Sequence, residues 1–348
     1  MQRRFFFKTT GMAALAGGVP ALRFMEKTDP LQTTKLHKPP RLRAGMTIGL
    51  IAPASPFSEE KRQAAQQNLS ALGFQIKESP HLYAQNGYLA GSDAQRLEDL
   101  HWAFSDPAID AVWCIRGGYG CSRLLPHIDF DLIGRHPKVL IGYSDITALH
   151  LAIQQRSGLV TFHGPVAASE FPENTLRHFR SVLMEPVTPY TVQIPKAAEL
   201  PEDDAYQPFV VTPGQATGKL IGGNLTLLAA LVGTPFAPSY KNKIVFIEDV
   251  GEQPYRIDRM LTQMLQGSDL SKAAGIALGV FADCKPKGDS LSLTLQETLR
   301  DRFANLGIPV VYGIPFGHVA HQMTFPYGIQ AALDATLGQL TLLETGVL

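Results

Sequence analysis

Cysteine is scarce in this chain. There are three, Cys114, Cys121 and Cys284. An odd number without repeated spacing excludes a disulfide framework, and no His/Asp/Cys grouping has the spacing of a zinc site. The residues read as buried free thiols, with a Cys114–Cys121 bridge as the alternative. Charge of one sign is missing too. Basic and acidic groups number 31 each, and residues 31–348 hold 26 basic against 29 acidic. Such a balance offers nucleic acid or an anionic membrane surface nothing to recognise. No uncharged apolar run approaches the ~20 residues of a membrane span. Internal repeats and low-complexity tracts are also absent. What is left, 45% hydrophobic and 18% charged residues, is the composition of a globular enzyme. The chain is long enough for two domains or one large one.

The start of the chain stands apart. Arg3-Arg4-Phe5-Phe6-Phe7-Lys8 precedes an uncharged, Ala- and Gly-rich stretch from Thr9 to Leu22. Paired arginines, an aromatic residue two places on and a short apolar stretch form the pattern of a twin-arginine export signal. Residues 1–30 are expected to be that signal and a tether, and the mature chain to be periplasmic or exported. No cysteine lies nearby to take a lipid.

From Pro39 onward the pattern alternates strand and helix. Thr47–Ile51 reads as a strand ending in Ala52-Pro53-Ala54-Ser55-Pro56, Glu59–Leu72 as a helix, and Phe74–Lys77 as a second strand. Asp93–Phe104 reads as a helix capped by Ser92 or Asp93, and Ile109–Ile115 as a third strand. This order predicts a parallel sheet with right-handed crossovers. The third strand runs into Arg116-Gly117-Gly118-Tyr119-Gly120, which reads either as a tight turn or as a place where backbone approaches a ligand. Its spacing is neither a P-loop nor a dinucleotide fingerprint.

Next comes Val139-Leu140-Ile141, a buried strand, then Gly142-Tyr143-Ser144-Asp145. Ile146, Leu149, His150 and Ile153 follow at helical spacing, with Gly158 as the stop. Ser144 therefore stands between strand and helix. It is either the helix N-cap or a nucleophile at the carboxyl edge of the sheet, where open α/β folds bind ligands. The stretch is similar to the G-x-S-x-G elbow of hydrolases, with Ile146 in place of the second glycine. His163 ends another strand and reads as structural.

Prolines punctuate residues 181–215, which read as a linker or irregular crossover between an N-terminal domain over 39–180 and a C-terminal domain over 216–348. In the second half, Lys243–Ile247 is an apolar strand ending on the carboxylate pair Glu248-Asp249. Ile257–Leu265 shows helical spacing, and Ile276–Phe281 is a strand. Pro309–Pro315 is a strand that delivers Phe316-Gly317-His318, and Ile329–Leu343 reads as a closing hairpin. Serine, glutamate and histidine thus stand at three strand ends, the set needed for nucleophile, orienter and base.

Taken in order, Arg116-Gly117-Gly118-Tyr119-Gly120, Gly142-Tyr143-Ser144-Asp145, Gly222-Gly223-Asn224, Ile247-Glu248-Asp249 and Gly317-His318 resemble the LD-carboxypeptidases, also called muramoyltetrapeptide carboxypeptidases. The resemblance runs from about Ile48 to Leu343. It implies an α/β fold with an N-terminal Rossmann-like parallel-sheet domain, a C-terminal mixed α/β domain and the active site at their junction. It implies a serine peptidase that uses neither metal nor cofactor and removes the terminal D-alanine from murein tetrapeptide stems, commonly as a homodimer. Ser144 would be the nucleophile, His318 the base and Glu248 its orienter. The backbone amides of Gly118 and Asp145 would form the oxyanion hole. Arg116 and Tyr119 are candidates for substrate contact, and His321 is expected to be structural. An export signal departs from the cytoplasmic habit of most members. Two other readings stand beside this one. The first is a related branch that hydrolyses peptidyl-nucleotide antibiotics. The second is a binding protein for murein peptides, in which Ser144 and His318 would not meet.

Overall fold

Two β-sheets carry the fold, each grown from strand–helix alternation. The computed structural model describes residues 35–195, 200–287 and 291–348. The export signal expected over residues 1–30 lies outside them. The first half contains β1 (Thr47–Ile51), α1 (Glu59–Ala71), β2 (Gln75–Glu78), α2 (Asp93–Ser105), β3 (Ala111–Cys114), α3 (Cys121–Leu124), α4 (Phe130–Arg135), β4 (Val139–Gly142), α5 (Thr147–Ser157), β5 (Phe162–His163) and α6 (Glu173–Phe179). The second contains β6 (Tyr190–Gln193), β7 (Phe209–Thr212), β8 (Gln215–Asn224), α7 (Leu225–Leu231), β9 (Lys243–Glu248), α8 (Pro254–Gly267), β10 (Gly275–Val280), α9 (Leu295–Phe303), β11 (Val310–Gly317), β12 (Phe325–Pro326), β13 (Gln330–Asp334) and β14 (Gln339–Leu342).

The first sheet has the order β12-β5-β4-β3-β1-β2. Its strands β1 to β5 are parallel, as expected of a Rossmann-like half. β3 and β4 are buried along their whole length, because helices cover both faces of such a sheet and leave no side for polar residues. From β1 the chain moves outward to β2, then returns to the other side of β1 at β3. The loops after β1 and β3 therefore part at a topological switch point, which opens a crevice at the carboxyl edge. Ser92 caps α2 in a reciprocal capping box with Gln95, as its place before an amphipathic run predicts.

The second sheet has the order β6-β14-β13-β8-β9-β10-β11-β7. β8 to β11 are parallel, and antiparallel strands flank them. The segment 181–215, expected as a linker, supplies β6 and β7, the two edge strands of this sheet. Proline is tolerated there because an edge strand leaves one row of main-chain groups unpaired. β12 comes from the second half of the chain but pairs with β5 of the first sheet. Between the sheets runs α5, packed against β5, β8 and α7. With neighbours on both sides it is buried almost all round, from Thr147 to Ile153. One continuous apolar core joins the two halves.

Candidate active site

The chain turns sharply at Ser144, which holds a left-handed φ of 63°. A non-glycine residue there carries local strain of about 1–3 kcal/mol, and the turn lifts the hydroxyl out of the sheet edge as a nucleophile elbow does. A Cβ on Gly142 would stand 2.9 Å from the Ile146 side chain. The bare backbone at 142 is what lets Ile146 occupy the place usually given to glycine. Ser144 does not cap the helix. The N-cap of α5 is Ile146, and neither it nor the short 3₁₀ turn over Ser144–Ile146 has a side-chain cap. The hydroxyl is turned toward His318 instead.

Ser144 Oγ lies 3.1 Å from His318 Nε2, and His318 Nδ1 lies 2.8 Å from Glu248 Oε2. A carboxylate only accepts, so Nδ1–H is the donor and Nε2 is free to take the serine proton. The Glu248 side chain is fully buried, whereas that of His318 keeps 20% exposure. Burial opposes charging of the ring, but the charge and hydrogen bond of Glu248, with the charge of Asp249, outweigh it and raise the His318 pKa above its ordinary value. The Tyr143 ring, centred 4.8 Å from that of His318, backs it.

The carboxylate pair at the end of β9 divides its work. Asp249 accepts from Asn224 Nδ2, Thr226 N, Thr226 Oγ1 and Val250 N at 2.8–3.0 Å. It thereby pins the start of α7. Burial, and then the neighbouring Glu248 charge, push its pKa up to about 6.

The glycine turn after β3 is tied down from two sides. Tyr119 N–H donates to Ser55 Oγ at 3.1 Å. Cys121 N–H donates to the Asp145 carboxylate at 2.8 Å. Gly118 has a φ of 128°, and a Cβ there would stand 2.4 Å from Ser55 Oγ. Only glycine fits so close to the loop after β1. The Asp145 side chain is 1% exposed, and burial raises its pKa against its hydrogen bonds.

Arg116, a candidate for substrate contact, directs Nε to Gly117 O at 3.0 Å and Nη1 to Pro56 O at 2.9 Å. It joins the loops after β3 and β1. Tyr119 is half exposed at the rim, edge-on to Tyr88 at 5.6 Å. His163 is buried among the rings of Tyr143, Phe246 and Phe316, and burial holds its pKa well below the ordinary imidazole value. Cys114, Cys121 and Cys284 are free and buried. Sequence reasoning assigned no role to Ser55 or to Thr175. Thr175 Oγ1 donates to Ala320 O and accepts from Gln322 N, both at 2.9 Å, fastening the loop after His318 to α6. The place of Ser55 just past β1, at the switch point, was a usable signal. Thr175 offered none.

A serine, a histidine and a buried glutamate brought together between two α/β halves define a hydrolase site. The sequence profile of the LD-carboxypeptidase N-terminal domain matches residues 48–164, and that of the C-terminal domain matches residues 217–333. The chain is 41% identical over 316 residues to a probable murein peptide carboxypeptidase of Bacillus subtilis, covering 89% of this chain and 95% of that one. It superposes on a muramoyltetrapeptide carboxypeptidase of Oxalobacter formigenes with a TM-score of 0.74 at 30% identity, covering 86% and 99% of the two chains. An MccF-like protein of Bacillus anthracis gives 0.75 and 30%, covering 88% and 98%. The chain belongs to the LD-carboxypeptidase family and is a peptidase.

Proposed function

We propose that this protein is a serine-type LD-carboxypeptidase that removes the terminal D-alanine from murein tetrapeptide stems after export. The observation that carries the reading is the unbroken chain Ser144–His318–Glu248, whose contacts of 3.1 and 2.8 Å also speak against a pure binding protein. Likeness to the Bacillus subtilis murein peptide carboxypeptidase supports the substrate. The immunity-type reading draws on likeness to the MccF-like protein, MccF being a Microcin C7 self immunity protein. It is the weaker of the two, because 41% identity over 89% of the chain favours the carboxypeptidase.

In the proposed reaction His318 Nε2 takes the Ser144 proton as Oγ attacks the amide carbonyl. Glu248 holds the ring in the productive tautomer and stabilises the imidazolium. The N–H groups of Asp145 and Gly118 receive the oxyanion. Support for Gly118 comes from its neighbours, since the N–H groups of Tyr119 and Cys121 already have acceptors. His318 then protonates the departing D-alanine amine, and water, deprotonated by the same imidazole, releases the acyl group.

The test is incubation of the purified mature chain with murein tetrapeptide, with products weighed by mass spectrometry. Loss of one alanine by the native protein and none by Ser144→Ala supports the reading. An intact tetrapeptide alongside a cleaved peptidyl-nucleotide would transfer it to the immunity branch. The family habit of forming homodimers extends the proposal, and sedimentation of the purified chain checks it.

A further inference from the structure

A groove of about 700 Å³ opens beside the residues that follow His318. One wall is the loop Val319-Ala320-His321 together with Val280, which ends β10 and pairs with Gly317. The groove therefore shares the sheet edge that carries Glu248 and His318. The opposite wall is α6, where Asn174, Arg177 and His178 fall at i, i+3 and i+4 and so lie on one face. Thr175 fastens this helix to the loop through Ala320 and Gln322, so the two walls keep a fixed relation to His318.

Among the described residues the charge of the groove has one sign. Among the described residues its lining holds no aspartate or glutamate, and Arg177 makes no ion pair among them. His178 Nδ1 meets Tyr190 Oη at 2.5 Å. Burial, and then the Arg177 charge, lower the His178 pKa to about 4, leaving that ring neutral. Arg177 is thus a cation with no counter-ion among the described residues, facing a groove of peptide size.

The chemistry of the site decides which part of a substrate comes there. The base that takes the serine proton must hand it to the leaving amine, so the leaving residue lies on the His318 side, away from the glycine turn. The leaving residue of a carboxypeptidase bears a free carboxylate, and a guanidinium is the side chain best shaped to hold one. We propose that this groove is the subsite for the leaving residue and that Arg177 binds its terminal carboxylate. The proposal rests on the peptidase reading above. Arg116 is poorly placed for the task because its Nε and Nη1 already serve main-chain carbonyls.

The experiment uses the full chain carrying Ser144→Ala, so that ligands bind without turnover. Murein tetrapeptide and its C-terminal amide are titrated by calorimetry. The free acid should bind at least about tenfold tighter than the amide, as expected of a charge-assisted pair. Adding Arg177→Gln should erase the preference and leave amide binding unchanged, while Arg177→Lys should restore part of it. Equal binding of acid and amide, or a preference that survives Arg177→Gln, would overturn the proposal. Cleavage assayed with Ser144 intact keeps the two readings apart. A tetrapeptide that is bound through Arg177 but never cut sinks the peptidase and spares the subsite. One that is cut while Arg177→Gln keeps the preference does the reverse.

Discussion

Glu248 Oε2 stands 2.8 Å from His318 Nδ1, although a whole strand, β10, separates the two strands that carry them. The contact sets both the tautomer and the basicity of the imidazole. A general base works only when neutral, and the His318 pKa is raised. Activity should therefore climb with pH through a midpoint above the ordinary histidine value of about 6.5. Glu248→Gln removes the charge that raises the pKa and leaves burial, which lowers it. The acid limb of kcat/KM should then move to lower pH, while kcat falls roughly ten thousand-fold through tautomer loss. A pH profile of the variant decides the matter, and an acid limb that stays where it was refutes the role given to Glu248.

Ser144→Ala and His318→Ala should each lower kcat on the order of a million-fold, and the double variant should be little worse, because the pair acts as a unit. Were Ser144 only a cap, its loss would cost about 1 kcal/mol of stability and leave activity largely intact. Kinetics and melting curves on the same samples separate the two patterns. Substantial residual turnover with a lowered melting temperature would end the catalytic assignment.

The thiols and metals give a further check. Burial raises the pKa of Cys114 and Cys121, and that of Cys284 to about 12, so none forms the reactive thiolate at neutral pH. Iodoacetamide should leave the native protein unlabelled and active, and label three sites after denaturation. EDTA should also leave turnover unchanged, since the proposed steps run through side chains and main-chain N–H groups alone. Inactivation by EDTA that zinc reverses would contradict the serine mechanism.

The proposed export would rest on Arg3-Arg4. Replacing both with lysine should hold the protein in the cytoplasm, read by fractionation of cells against a periplasmic marker. Unaltered export would refute the twin-arginine proposal.

How much of this was legible in the sequence depended on the kind of interaction. β3 and β4 announce themselves as unbroken apolar runs because both faces of the sheet are covered. Ser92 with Gln95 marks the start of α2 by local hydrogen bonding. β12 is two residues long and shows no periodicity, and its partner β5 is some 160 residues away in the chain. β6 and β7 were hidden by the prolines around them. The serine, glutamate and histidine could be listed from strand ends, but that they meet depends on how the sheets face one another across α5. Ser55 and Thr175 act through single side-chain bonds to distant main chain, which leave no repeat to read.

Asp145 offers the last prediction. The family resemblance implied that its N–H is an oxyanion donor, and the structure gives the side chain a separate task. The carboxylate takes the N–H of Cys121, so it ties the turn holding Gly118 to the residue beside the nucleophile. Both proposed donors are thereby set by one side chain, in a site where misplacement of ~1 Å can cost a hundredfold. Asp145→Ala leaves that donor without an acceptor, a loss of about 1–3 kcal/mol, partly offset by removal of a buried charge. The variant should melt several degrees lower. It should also lose kcat by one to two orders of magnitude, as an estimate from that misplacement effect, with KM little changed, because the oxyanion forms only in the transition state. Asp145→Asn keeps one acceptor oxygen and should recover part of both. If Asp145→Ala melts lower but keeps its kcat at temperatures where it is folded, the carboxylate supports the fold alone and does not position the oxyanion turn.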